Sequence, residues 1–360
     1  MNMKNVAILT LGLRHNYGGI LQAAALYNFL HREGYNPVLL RKYPVQKGWK
    51  AIIIKALEIL PFQNLKGFRN SYIKYINNIQ FFDEYMPNQT KIMTYKSQIE
   101  EFLNKYEIDA IVVGSDQVWR YTYINDTEYD TYFLNFKLNR EIKKISYAAS
   151  FGIDTWEAPS ENLNIKKYLS DFNAVSVRES SGQEICKKDF GKYDVELVLD
   201  PTLLIEQSFY LDMIKNKSPK NYDCITYILD ENTEKKELVK KINVECQHKS
   251  VFNLLTKSSK LSVQDWVASF KSSDFIITDS FHGMVFSIIF NKQFVVLINK
   301  DRGSDRFFSL CHLLGLQDRL YDPTLGLTFD LKAIDYSDVN KKLESLRKSS
   351  KKYLLDALGE

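Results

Sequence analysis

Short apolar runs alternate along the chain with longer stretches in which apolar positions recur at helical spacing. VAILTLG, starting at Val6, reads as a buried strand, a short β-branched and apolar run. LRHNYGG is a loop. ILQAAALYNFLHREG is an amphipathic helix, with Gly34 placed to take the left-handed conformation past its end. NPVLLRKY follows as a strand, and this β-α-β start predicts a parallel sheet. Residues 46–90, rich in aromatics, Lys and Asn, are expected to form helices and loops over the sheet edge. SQIEEFLNKYE is a helix. DAIVVGSD, KKISYAASFG, FNAVSVRES and VELVLDPTLL are then four strands whose ends run into small or functional polar residues.

The texture changes at EQSFYLDMIKNKSPKNYD, where Lys, Asn, Ser and Pro predict a linker over about residues 206–222. A second alternation follows. CITYILD is a strand, EKKELVKKINVEC a helix, KSVFNLL a strand and SVQDWVASFKSSD a helix. That last helix opens with Ser262 and an acid three residues on, a capping-box start. FIITDS is a strand, a helix comes next, and FVVLINK is a further strand. The last 25 residues, from Tyr336, form a basic amphipathic helix, with one face packed on the body or laid on a lipid surface. The expected architecture is α/β, with two Rossmann-like domains facing a cleft. Residues 1–210 form the first, with Arg178 reaching the cleft. Residues 220–335 form the second, and 336–360 the terminal helix.

One helix breaks the pattern. TDSFHGMVFSIIFNK, from Thr278, is apolar enough to be buried, yet it opens with Asp, Ser, His and Gly. In an open α/β sheet, ligands bind where strands end and helices begin. Asp279 or Ser280 is placed to cap the helix, and free N–H groups and the helix dipole attract anions there. Gly283 would let a ligand come close to the backbone. His282 sits in the first turn, either as packing or as a working group.

Composition narrows the classes. The 360 residues are 45% hydrophobic and 26% charged, ordinary for a globular chain long enough for two domains. A net charge of +4 does not point to nucleic acid, and its sign suits an anionic ligand. Cys186, Cys224, Cys246 and Cys311 are far apart, which argues against a metal or disulfide framework and for reduced thiols. The N-terminus lacks the pattern of a signal peptide, and the longest apolar run, AIIIKALEIL, is interrupted by Lys55. A cytoplasmic protein is expected, able to dock at the inner face of the membrane.

Four further stretches carry candidate chemistry. In RHNYGGILQ, Gly18 and Gly19 allow a tight turn near a ligand, and Asn16, Tyr17 and Gln22 can hydrogen-bond sugar hydroxyls. The spacing is not that of a dinucleotide fingerprint. In GSDQVWR, Ser115, Asp116 and Gln117 end a strand. Asp116 can orient or deprotonate a hydroxyl, and Trp119 is either core or a stacking platform for a sugar. In SVRES, Arg178 presents a fork that matches carboxylate or phosphate, or pairs with Glu179 or another acid. In NKDRGSDRFFSLCHLLG, Arg302 and Arg306 follow the last strand, where Arg306 can bring positive charge beside His282. No metalloprotease, Walker or nucleophile-elbow motif is present in the sequence. The residues suit a metal-free transfer from an anionic donor.

NYGGILQAAAL, VVGSDQVW, SYAASFG, SVRE, DPTLL and TDSFHGMVFSIIFNKQFVVL occur in an order and spacing that resemble the polysaccharide pyruvyl transferase family, over about residues 6–320. The resemblance implies a fold similar to GT-B glycosyltransferases, with the first domain on the acceptor side and the second on the donor side. It implies phosphoenolpyruvate as donor substrate, no further cofactor, and a sugar or lipid-linked oligosaccharide with two free hydroxyls as acceptor. The product would be a cyclic pyruvate ketal in a bacterial capsule, exopolysaccharide or cell-wall glycan. His282 then reads as general acid, Arg178 as donor ligand and Asp116 as base. Many relatives carry Arg two residues before this His, whereas this chain has Ser280, and Arg306 is the candidate replacement. Two rival functions stay open: a nucleotide-sugar glycosyltransferase and a non-catalytic glycan-binding or assembly protein.

Overall fold

The computed structural model describes residues 3–13, 16–44, 78–124, 128–257, 261–299, 302–322, 324 and 332–359. Its frame is two parallel sheets. Strands β1 (Asn5–Leu9), β2 (Asn36–Leu40), β3 (Ala110–Gly114) and β4 (Lys143–Tyr147) lie in the order β2-β1-β3-β4. Bridges from Ile145 and Ala149 add β5 (Val175–Val177), which pairs with β6 (Val195–Leu197). The second sheet has the order β11-β10-β9-β7-β8, from β7 (Tyr222–Tyr227), β8 (Val251–Asn253), β9 (Ser273–Thr278), β10 (Gln293–Leu297) and β11 (Leu320–Tyr321).

The central strands β1 and β3 are buried on both faces, and each face has its own partners. Along β1, Val6 and Ile8 point into one apolar cluster while Ala7 and Leu9 point into another. β3 repeats this with Ala110 and Val112 against Ile111 and Val113. This is the two-residue alternation of a pleated strand, and burial on both sides is why these segments read as unbroken apolar runs. The first cluster crosses between the halves. It joins Val6 and Ile8 to Trp266, Phe286 and Phe294 of the second half.

Strand order also places the crevices. In the first sheet the connections leave β1 toward β2 on one side, with β3 on the other. In the second sheet β7 has β8 on one side and β9 on the other. Each is a point where neighbouring connections diverge and leave a gap beyond the strand ends. Helix α1 (Tyr17–Arg32) starts at the first gap. The other helices that bear on the site are α2 (Ser180–Phe190), α3 (Pro201–Leu204), α4 (Gln207–Ile214), α5 (Val263–Lys271), α6 (Phe281–Ile289), α7 (Asp305–Leu314) and α8 (Tyr336–Leu358). Helix α6 starts at the second gap.

Two sequence expectations change. The segment read as a linker contains α4, because Phe209, Tyr210, Met213 and Ile214 fall on one buried helical face despite the polar residues around them. The stretch 46–90 lies largely outside the described residues, as does AIIIKALEIL; residues 78–85 are helical. Helix α8 turns its apolar side to the body of the protein. Val339, Leu343, Leu354 and Leu358 are buried, Tyr353 Oη donates to Ser146 O at 2.9 Å, and Leu199 N donates to Ser350 Oγ at 3.0 Å. Among the described residues no helix is long and apolar enough to cross a membrane.

Candidate active site

Asp200 is the centre around which the site assembles. It follows β6 and caps α3, its Oδ1 accepting from Thr202 N at 3.0 Å and Thr202 Oγ1 at 2.6 Å. Its other oxygen gathers residues from three places. Oδ2 accepts from Ser115 Oγ beyond β3 at 2.7 Å and from Arg178 Nη1 beyond β5 at 2.9 Å. His282 Nε2, from the second half, stands 3.7 Å from the same oxygen. Burial alone would push the Asp200 carboxyl up; His282, then Arg178 and Thr202, outweigh it and hold it well below the usual carboxylate range.

Arg178 is 4% exposed and lies between three carboxylates: Asp200, Glu179 with Oε2 at 3.5 Å from Nε, and Asp116 with Oδ1 at 4.0 Å from Nη2. Only Nη1 has a well-formed bond. Nε and Nη2 have no hydrogen-bond partner among the described residues. Glu179 is held in turn by Phe151 N at 2.8 Å and Gly152 N at 3.1 Å, both on Oε1. Arg178 is thus hydrogen-bonded at one nitrogen, while its other two face carboxylates without bonding to them.

Asp116 adopts φ 69°, a left-handed conformation that Asp tolerates better than most residues. Val118 N and Ser150 N both donate to its carbonyl, at 2.8 and 3.1 Å, and fix that turn. The carboxylate then faces the start of α1, where Asn16 Nδ2 donates to Oδ2 at 3.4 Å. Asn16 makes no side-chain cap to α1.

His282 comes from the start of α6. Ser280 is the cap, accepting from Gly283 N at 3.3 Å. Asp279 is turned away, and accepts from Leu229 N, Asp230 N and Lys235 Nζ. The imidazole is 6% exposed and packs against α1 so tightly that a Cβ on Gly18 would lie 2.0 Å from Nδ1. Its Nε2 has no hydrogen-bond partner among the described residues. Arg306, at the start of α7, donates from Nε to Gly303 O at 3.2 Å and from Nη2 to Arg302 O at 2.8 Å. Burial, and then the charge of Arg178, pull Arg306 down to about 10, which still leaves it a cation near neutrality.

Several residues proposed from the sequence have other work. Trp119 is fully buried, stacked on Phe133 at 5.5 Å, with Nε1 donating to Tyr132 O. It is core, because β3 and the loop after it turn the ring inward. Tyr17 stacks on Trp266 at 5.5 Å and donates to Leu261 O at 2.9 Å, which makes it a joint between the halves. Gln22 is a buried strut from α1 to Thr10 Oγ1 and Gly19 O. Gln117 crosses to the second half, donating to Arg302 O at 3.2 Å. Gly283 is needed for packing, since a Cβ would meet Thr278 Oγ1 at 2.3 Å. Arg302 is paired with Asp230.

Asp200 and Glu179 were not singled out by the sequence reading for the roles they hold. VELVLDPTLL, expected as one strand, ends at Leu197; Asp before Pro is a helix-cap signal, and Asp200 is that cap, but the sequence carries no signal for its second role. No group of three or more His, Cys, Asp or Glu that could hold a metal ion occurs among the described residues.

The fold is a pair of parallel α/β sheets with a buried Asp-Arg-His cluster where they meet. Residues 16–301 match the polysaccharide pyruvyl transferase family, and the chain belongs to that family of transferases. Among solved structures it is similar to the UDP-GlcNAc 2-epimerase of Neisseria meningitidis bound to UDP-GlcNAc, at 12% identity and TM-score 0.49, covering 98% of this chain and 94% of that one. It is similar also to UDP-N-acetylglucosamine 2-epimerase from Rickettsia bellii, at 12% and 0.46, covering 99% and 97%. UGT71G1 of Medicago truncatula complexed with UDP-glucose is a third, at 9% and 0.46, covering 99% of both chains. No match was found among curated proteins.

Proposed function

We propose that this transferase moves the pyruvyl group of phosphoenolpyruvate onto two hydroxyls of a sugar, free or lipid-linked, in a bacterial surface polysaccharide precursor. The product is a cyclic ketal and phosphate is released. The observation that carries this reading is the buried Arg178, two of whose nitrogens make no hydrogen bond among the described residues, near the His282 imidazole that shares Asp200 with it. Buried donors that lack a hydrogen bond are costly, and an anion taken up at Arg178 would satisfy them.

The chemistry follows from the groups present. Protonated His282 gives its proton to the methylene carbon of the donor, and an oxocarbenium-like centre develops at C2. The first sugar hydroxyl adds to C2 while Asp116 takes its proton. The C2–O bond to phosphate then breaks. The second hydroxyl closes the ring on C2 and returns a proton to His282, and the proton on Asp116 leaves with phosphate. Arg178 and Arg306 balance the donor's negative charge, helped by the N-termini of α1 and α6. Ser280 contributes as the cap that orients the first turn of α6. Because Tyr17, Gln22 and Trp119 are engaged elsewhere, acceptor contacts fall to Asp116 and the exposed Asn16.

A thermal titration tests the donor. A ligand that binds only the folded state stabilises it by about 2.7 kcal/mol at a hundredfold excess over Kd. Phosphoenolpyruvate should raise the midpoint, with or without Mg²⁺, and Arg178→Ala should abolish the rise. A rise with UDP, UDP-galactose or CMP and none with phosphoenolpyruvate would overturn the assignment in favour of nucleotide-sugar chemistry.

A further inference from the structure

Phe281 stands between the helix cap Ser280 and His282, and its ring lies against both guanidinium groups of the site. Its ring is 3% exposed. The Arg178 guanidinium carbon lies 4.8 Å from its centroid and that of Arg306 lies 5.5 Å away. The His282 ring meets it edge-on at 5.4 Å, and Phe307 backs it at 6.0 Å. Arg178 comes from the first half of the chain, while Phe281 and Arg306 come from the second.

Two buried guanidinium groups this close repel each other, and Arg178 is among the causes that pull Arg306 down. An aromatic face carries partial negative charge and attracts cations within about 6 Å. A ring in contact with both offsets part of that repulsion and fixes where the two planes stand. Nε and Nη2 of Arg178 remain without a hydrogen bond among the described residues while this contact is made.

We propose that Phe281 is a positioning residue for the donor: its ring holds Arg178 and Arg306 as a cation pair that grips the anionic groups of phosphoenolpyruvate. The second guanidinium arrives from α7, and the ring beside Ser280 fixes it. The inference rests on the pyruvyl-donor reading of the site.

The test keeps the ring's shape and weakens its negative face. Phe281 is replaced by 4-fluoro-, 3,5-difluoro- and 3,4,5-trifluorophenylalanine, and phosphoenolpyruvate binding is measured by calorimetry, with inorganic phosphate as a second probe. Kd for phosphoenolpyruvate should rise stepwise with each fluorine, about 2- to 30-fold across the series. The ligand-free thermal midpoint should stay near that of the wild type. Phe281→Leu should lose most of the affinity and Phe281→Tyr should restore it. Should Phe281→Leu fail to fold, the fluorinated series decides. A flat Kd across that series with tight wild-type binding overturns the role of Phe281 alone. Wild-type protein that binds neither phosphoenolpyruvate nor phosphate overturns the donor reading, and this inference with it.

Discussion

At the scale of single residues, Asp200 decides the most. One carboxylate oxygen holds Ser115 and Arg178 and faces His282, while the other caps a helix. Its folded-state pKa is depressed, so its contribution to stability is full above the unfolded value of about 3.9 and fades as pH falls from there toward the lower folded value. Asp200→Asn removes the charge but keeps an oxygen for Thr202. The variant should be less stable than wild type by about 3 kcal/mol at pH 7, the scale of a broken buried ion pair. That gap should hold down to about pH 4 and shrink only below it. Thermal midpoints of both proteins at pH 7, 5 and 3 read this directly, and a gap that closes between pH 7 and 5 contradicts it. Trp119 teaches the opposite lesson. A Trp after a strand end looks like a sugar platform, but its full burial and its bond to Tyr132 O make it core.

At the scale of elements, two helix starts face each other. Gly18 in the first turn of α1 leaves the space that the His282 ring fills. Alanine would suit α1 better as a helix former, by up to about 1 kcal/mol. Yet its Cβ would lie 2.0 Å from His282 Nδ1, so the ring must move. Gly18→Ala should therefore stay folded and lose about 100-fold in phosphate release from phosphoenolpyruvate, the penalty of misplacing a reacting group by roughly an ångström. Release within a few-fold of wild type would mean that the ring does not act where it stands. Most elements were legible in the sequence because their apolar periods are strong: β1, β3, β9 and α1 read directly, and so did the capping box of Ser262 with Asp265. The buried face of α4 was masked by its Lys, Asn and Pro neighbours. Side-chain direction was not legible either. Tyr17, Gln22 and Gln117 are polar residues at strand and helix ends, like Asp116 and Arg178, and only packing between the halves assigns them to joints.

At the scale of the whole molecule, the site belongs to neither half. Asp116, Arg178 and Asp200 come from the first, and His282 and Arg306 from the second. The halves meet over glycines that a side chain would part: a Cβ on Gly303 would lie 1.8 Å from Gly152 O. Further joints are Ser181 N to Asp305 Oδ2 at 2.9 Å and Ser180 N to Ser309 Oγ at 3.0 Å, between α2 and α7. In the proposed mechanism the two halves divide the labour, with donor anchoring by Arg178 and proton delivery by His282. The measurement that tests this most directly compares wild type with His282→Ala. Phosphoenolpyruvate binding is followed by calorimetry, and phosphate release is followed with a panel of methyl hexosides as acceptors. The account predicts binding within a few-fold of wild type and release reduced by at least about 100-fold, the lower range for a lost general acid. Phosphate release that survives in His282→Ala would contradict it.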